Sequence, residues 1–294
     1  MTGFAGNGET RSLVRSFDTT LLSAAVYGSG DKRPVLVVPA IGATFVVWHK
    51  ALIDVVRERK IMTWDLRGLH ESGDPATDRL DAGTQAEDAV AVVNDLHGTE
   101  PVHVLAWSNG ARIALELAHR YSEQVASLTL VCGGYGQPLL RLLRHFEPAA
   151  FMPFIAGVSK FFAAPLQMAF RNLVARPELP GLVRQSGFTA ATADTQVLVE
   201  VLRAMADCNL RTLLRTYEQV AGDSAREILG DLWIPTLLIA GEHDSFTPRA
   251  ITEDMQDNLP DSKLVVYENA THYLPIEYPA RLSSDLRSFL DARD

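Results

Sequence analysis

The stretch that most restricts how this chain can fold runs from Val102 to Ala118. Residues 102–105 form an apolar, strand-like run that ends abruptly at Ala106-Trp107-Ser108-Asn109-Gly110. A helical pattern follows, with apolar side chains at Ile113, Leu115, Leu117 and Ala118. A serine between a buried strand and a helix, flanked two positions away by small residues, predicts a sharp turn. Such a turn strains the serine backbone and lifts its hydroxyl clear of the sheet. The junction also places Ser108 at a helix N-terminus, where unpaired amides carry partial positive charge. Serine is a favoured N-cap as well, so a plain capping role stays open on this stretch alone.

Strands and helices alternate around the junction. Residues 34–39 (Pro-Val-Leu-Val-Val-Pro) read as a strand buried on both faces. A helix is expected over 46–58, a strand over 61–66, an amphipathic helix over 85–96 and a strand over 127–132. Residues 12–27, around Asp18, suggest an antiparallel edge hairpin. From 139 to about 229 only helical patterns are convincing, for example 195–205 and 210–220. Alternation then resumes, with strands at 235–240 and 263–267 and helices at 249–259 and 279–292. This rhythm predicts an α/β fold: a mainly parallel sheet with helices on both faces. Residues 1–137 and 230–294 would form the core domain, and 138–229 an inserted helical cap.

With 47% hydrophobic residues among 294, the chain can bury a substantial core, and 21% charged is ordinary for a globular protein. A formal net charge of -9 argues against nucleic acid and against anionic lipid heads as partners. Cys132 ends an apolar run and Cys208 lies far from it, so buried free thiols are expected. The eight histidines show no metal-ligand clustering, and neither a metal nor an organic cofactor is expected. The first residues lack the basic start and apolar core of a signal peptide, which makes the cytoplasm the default expectation.

A serine nucleophile needs a base, and the base an orienting acid. In parallel sheets the reacting groups sit beyond the carboxyl ends of the strands. Two such ends supply candidates, Gly241-Glu242-His243-Asp244 and Ala270-Thr271-His272. The order Ser108, Asp244, His272 joins the serine turn, Gly241-x-x-Asp244-x-x-x-Pro248, Asp65-x-Arg67-Gly68 and Trp48 after the Gly42 turn. Together these resemble the α/β-hydrolase superfamily. The resemblance implies that Ser108 attacks a carbonyl, His272 takes its proton and Asp244 orients the imidazole. It also implies an oxyanion hole made by the backbone N–H groups of Ile41 and Asn109. Two departures are visible: Ala106 replaces the family's first elbow glycine, and Pro39-Ala40-Ile41 replaces its His-Gly-x turn. Taken singly, Asp244 could cap the next helix and His272 could be a hydrogen-bonded loop residue. His243 and Glu242 are the rival base and acid. His70 and Glu71, shifted from the family's loop pattern, read as loop structure.

Residues 149–170 are rich in Phe and Met, and Pro153, Lys160 and Pro165 interrupt them, which disfavours stable membrane insertion and suggests a lid helix. Trp107, Phe151, Phe154, Phe161 and Phe162 are the candidate pocket residues for a small hydrophobic acyl or aromatic substrate. The resulting expectation is a serine hydrolase cleaving an ester, thioester or lactone through an acyl-enzyme. An acyltransferase, lyase or carbon–carbon bond hydrolase could use the same triad, and a binding protein could keep the fold without catalysis. Serine at the elbow argues against the aspartate-dependent haloalkane dehalogenases and epoxide hydrolases.

Overall fold

The computed structural model describes residues 9–136, 164–186, 188–222 and 224–294. One eight-stranded sheet spans the molecule in the order β1-β2-β4-β3-β5-β6-β7-β8. β1 (Thr10–Arg15) and β2 (Leu21–Tyr27) form the antiparallel edge hairpin. β2 pairs antiparallel with β4 (Arg59–Trp64), and every pairing from β4 onward is parallel. β3 (Lys32–Val38), β5 (Val102–Trp107), β6 (Val125–Val131) and β7 (Thr236–Gly241) fill the centre, and β8 (Ser262–Tyr267) closes the far edge.

The period of two along each strand divides the core between the two faces. Val104 and Ala106 of β5 join one hydrophobic cluster with Val92 and Ile113, while Leu105 and Trp107 join the other with Trp48, Leu52 and Leu286. The first cluster is covered by α2 (Ala82–Leu96) and α3 (Gly110–Arg120). Asp81 caps α2 by accepting from the Thr84 amide, which sets the start of that helix three residues before the apolar pattern alone would.

The continuous helix expected over 46–58 is not formed. A 3-10 turn at Phe45–Trp48 and a four-residue helix α1 (Val55–Glu58) bracket a run of turns. Val47, Trp48, Ala51, Leu52 and Val55 still bury at helical spacing. The Val46-Val47 and Val55-Val56 pairs lose side-chain freedom in a regular helix, and burial here outweighs regularity.

Between β6 and β7 the described residues contain helices and no strand: 164–174, α4 (Leu179–Gln185), α5 (Thr195–Asp207) and α6 (Leu210–Gly222). After β7 come α7 (Arg249–Asn258), a short α8 (Leu274–Glu277) and α9 (Pro279–Asp291). No described helix is long and apolar enough to cross a membrane. Cys132 and Cys208 are both free and buried.

Arg67 ties the edge hairpin to this framework. Its guanidinium is fully buried and donates from Nε and Nη2 to both oxygens of Asp88 on α2, at 2.7 and 2.6 Å. A third bond, from Nη1 to Asp18 in the hairpin turn, is 2.8 Å. Burying an arginine is tolerable only with such pairing, because an unpaired buried charge is strongly destabilising.

Candidate active site

Ser108 lies between β5 and α3 with φ at 57°, a left-handed conformation that a non-glycine residue holds only when its surroundings enforce it. The enforcement is visible. The Ser108 amide donates to the Val131 carbonyl of β6 at 3.0 Å, and Gly110 passes so close to β3 that a Cβ there would sit 2.9 Å from the Pro39 oxygen. Ala106, at the other flank, fits as a fully buried strand residue. The first small-residue position therefore accepts a methyl group, and the second does not.

The structure brings Ser108, His272 and Asp244 together. The hydroxyl of Ser108 is 2.7 Å from His272 Nε2. His272 Nδ1 is 2.9 Å from Asp244 Oδ2 and 3.1 Å from Oδ1. Asp244 Oδ1 also accepts the amides of Phe246 and Thr247, each at 2.8 Å, so the carboxylate is fixed by its own turn. Both side chains are buried, His272 at 6% and Asp244 at 5% exposure, which keeps the pair in a low-dielectric setting. Nearby, the Cys132 thiol is pushed up well above its usual range by burial and then by the Asp244 charge, so it stays protonated.

Three supports went unread in the sequence. The Trp107 indole donates to the backbone carbonyl of His272 at 2.8 Å and so fixes the histidine loop to the end of β5. Phe246 lies against the imidazole, with ring centroids 4.9 Å apart. Glu277, itself buried, accepts from the amide and hydroxyl of Thr271 at 2.8 and 2.6 Å and from the Ala190 amide at 2.9 Å. An acid inside the otherwise apolar stretch Tyr273-Leu-Pro-Ile-Glu277-Tyr278 was the available signal for Glu277.

The oxyanion turn differs from the expectation in one respect. The Ile41 amide already has an acceptor: it donates to the side-chain oxygen of Asn109 at 2.8 Å. Ala40 keeps a negative φ, and the left-handed position falls on Gly42, with φ at 75°. The turn is closed by the Ala43 amide donating to the Ala40 carbonyl at 3.0 Å. Alanine in place of the family's glycine is therefore unstrained here.

The rivals lie elsewhere. His243 is exposed, and its nearest acid is Glu242 at 3.9 Å. His70 sits 3.4 Å from Cys208 rather than beside Ser108, and the amide of Glu71 donates to Asp65.

A cavity of about 320 Å³ opens on Ser108 and His272. Its walls include Trp107, Leu198, Val201, Met205, Leu213 and Tyr217, so helices α5 and α6 of the inserted segment form one side of it. Of the five candidate pocket residues, Trp107 lines this cavity. Phe151, Phe154, Phe161 and Phe162 lie outside the described residues. Among the described residues no cluster of three metal-binding side chains occurs.

Comparison with known proteins adds the following. The family model for the alpha/beta hydrolase fold matches residues 33–279. A pimeloyl-[acyl-carrier protein] methyl ester esterase of Aeromonas hydrophila is 23% identical over 269 residues, covering 92% of this chain and all of that protein. Among solved structures, an esterase from Exiguobacterium antarcticum superposes with a TM-score of 0.76 at 20% identity, covering 96% of this chain and 100% of the other. A 2-hydroxy-6-oxo-6-phenylhexa-2,4-dienoate hydrolase from a Rhodococcus strain superposes at 0.71 with 17% identity, covering 97% and 100%. At such identities these structures speak for the fold alone.

Proposed function

The chain belongs to the α/β hydrolase family, and from that footing we propose that this hydrolase is a serine esterase using Ser108, His272 and Asp244. The carrying observation is the unbroken chain of contacts from the Ser108 hydroxyl through His272 to Asp244, at 2.7 and 2.9 Å. In this reading His272 Nε2 accepts the hydroxyl proton as Ser108 Oγ bonds to the ester carbonyl carbon. The imidazolium then protonates the departing alcohol as the ester C–O bond breaks, leaving an acyl-serine. Water attacks that acyl group, gives its proton to His272, and the acid leaves as Ser108 recovers its proton. Asp244 keeps Nδ1 protonated and stabilises the imidazolium.

The Asn109 amide, without an acceptor among the described residues, faces the developing oxyanion at the start of α3, and the Ile41 amide joins it once the Asn109 side chain gives way. The esterase name carried by the Aeromonas relative supports ester cleavage over other chemistry of the same triad. The largely aliphatic cavity wall supports an apolar acyl or aromatic group on the substrate, with residues 138–229 serving as the cap that shapes it. A fluorophosphonate probe tests the nucleophile. Peptide mass mapping should place one adduct, on Ser108, and an unlabelled protein would overturn the reading.

A further inference from the structure

The active-site cavity is apolar in most of its lining, yet it contains an arginine. Arg112 stands in the first turn of α3, four residues after Ser108, and lines the same cavity. It is the only permanently charged residue among the described residues that line the cavity. The residue is buried, with its side chain 10% exposed. Among the described residues its one acceptor is Glu116, a further turn along α3, reached from Nη1 at 2.6 Å. Glu116 is not Arg112's alone, since its other oxygen takes Nε of Arg120. The Nε of Arg112, buried, has no acceptor among the described residues.

A guanidinium carries five donors in a planar fork. Leaving one of them buried and unmatched costs about 1–3 kcal/mol, and more when the group is charged. Such groups are few in native structures, and one on a residue that lines a cavity is open to a partner that enters it. Glu116 does not complete the fork: its Oε2 takes Nη1 of Arg112 and its Oε1 takes Nε of Arg120. A substrate entering the cavity beside Ser108 could.

We propose that Arg112 binds a carboxylate carried by the substrate, so that the enzyme acts on esters bearing an acid group a short apolar chain away from the reacting carbonyl. The proposal rests on the esterase reading for the identity of the reacting bond, but not for the anion contact. The fork accepts a carboxylate in a bidentate manner, and the low-dielectric wall of Leu213, Tyr217 and Met205 strengthens that contact. The aliphatic spacer between acid and ester would lie against the same wall.

The test separates binding from turnover. In the Ser108→Ala protein, calorimetry compares monomethyl adipate with methyl hexanoate, which differ only at the chain end far from the ester. A second pair, acetoxyhexanoate and hexyl acetate, moves the acid to the alcohol side. In at least one pair the acid-bearing member should bind about tenfold tighter or better, as a charge-assisted contact implies. Adding Arg112→Gln, which still hydrogen-bonds Glu116, should bring that ratio close to one. Arg112→Lys should retain part of it, because the charge stays but the fork is lost. Equal binding within both pairs, or a preference that survives Arg112→Gln, would overturn the proposal. Neither outcome depends on whether Ser108 turns substrate over, so a failure of the esterase reading would show separately, in the labelling experiment.

Discussion

Two serine–histidine–aspartate sets occur in this molecule, at opposite ends of the sheet, and only the set at the carboxyl end has a buried acid. At the carboxyl end, Ser108, His272 and Asp244 make contacts of 2.7 and 2.9 Å. At the amino end, His103 Nδ1 is 2.8 Å from the Ser127 hydroxyl, and its Nε2 is 3.5 Å from Asp294. The residue types are identical, and their surroundings are not. His103 and Ser127 are direct partners across the parallel β5–β6 pair, fully buried and in regular strand conformation. Asp294 is pulled away by Arg59, whose Nη1 and Nη2 take both its oxygens at 2.6 and 2.7 Å. Ser108, by contrast, is in a left-handed turn at the head of a helix, open to a cavity. In the proposed esterase, reactivity is thus assigned by the strained turn, the helix amides and access for substrate, not by the three side chains alone.

The largest expected effect breaks the symmetry between the two serines. Ser108→Ala should lower kcat/KM on a cleaved ester by at least about three orders of magnitude. Ser127→Ala should leave kcat/KM within about twofold and register only as a small stability change, typical of a lost neutral hydrogen bond. Comparable losses in both variants, with both proteins folded by circular dichroism, would mean that the amino-end set is no mere strand contact.

A pH experiment sharpens the contrast between the histidines. Burial pushes His103 down to about 4, with the adjacent Arg59 charge acting in the same direction and Asp294 opposing. The unfolded chain protonates this residue near the ordinary histidine value, so between roughly pH 6.5 and 4 it binds more protons than the folded protein. Stability from keeping His103 neutral is therefore complete above that window and declines as pH falls through it. Thermal unfolding of His103→Gln should show a shallower fall in Tm across the same range than the wild type. An unchanged slope would remove His103 as the source.

Legibility in the sequence followed the distance over which each cause acts. The strands read correctly because a continuous apolar run is a local signal, and the elbow because its small residues sit two positions either side of Ser108. The helix over 46–58 failed because its burial pattern is helical while its paired β-branched residues resist the regular backbone. Arg67 was noticed only as part of a motif. The partners that explain its burial, Asp18 and Asp88, lie 49 and 21 residues away, and no pattern joins them. Glu277 and the Trp107 indole act on the histidine loop through contacts that only the folded chain creates. The same holds for Arg112, whose place beside the cavity only the folded chain creates.

The smallest expected effect concerns the proposed oxyanion donors at the elbow. At the elbow the Ile41 amide is held by the side-chain oxygen of Asn109, an acceptor that mimics the one a substrate would offer. Substrate must displace it, and a net hydrogen bond of this kind is worth about 1 kcal/mol, or roughly fivefold. The turn does not depend on Asn109 for its shape, because the Ala43–Ala40 bond closes it and Gly42 is wedged beneath Leu213 and Met205. Asn109→Ala should consequently raise kcat/KM by up to about fivefold, the size of the removed competitor. Asn109→Asp, of the same shape, puts a fixed negative charge where the oxyanion forms and should lower kcat/KM by about tenfold or more. If both variants lose activity to the same extent, the side chain is holding the turn rather than occupying the donor. The elbow would then require one more structural residue than its backbone geometry suggests.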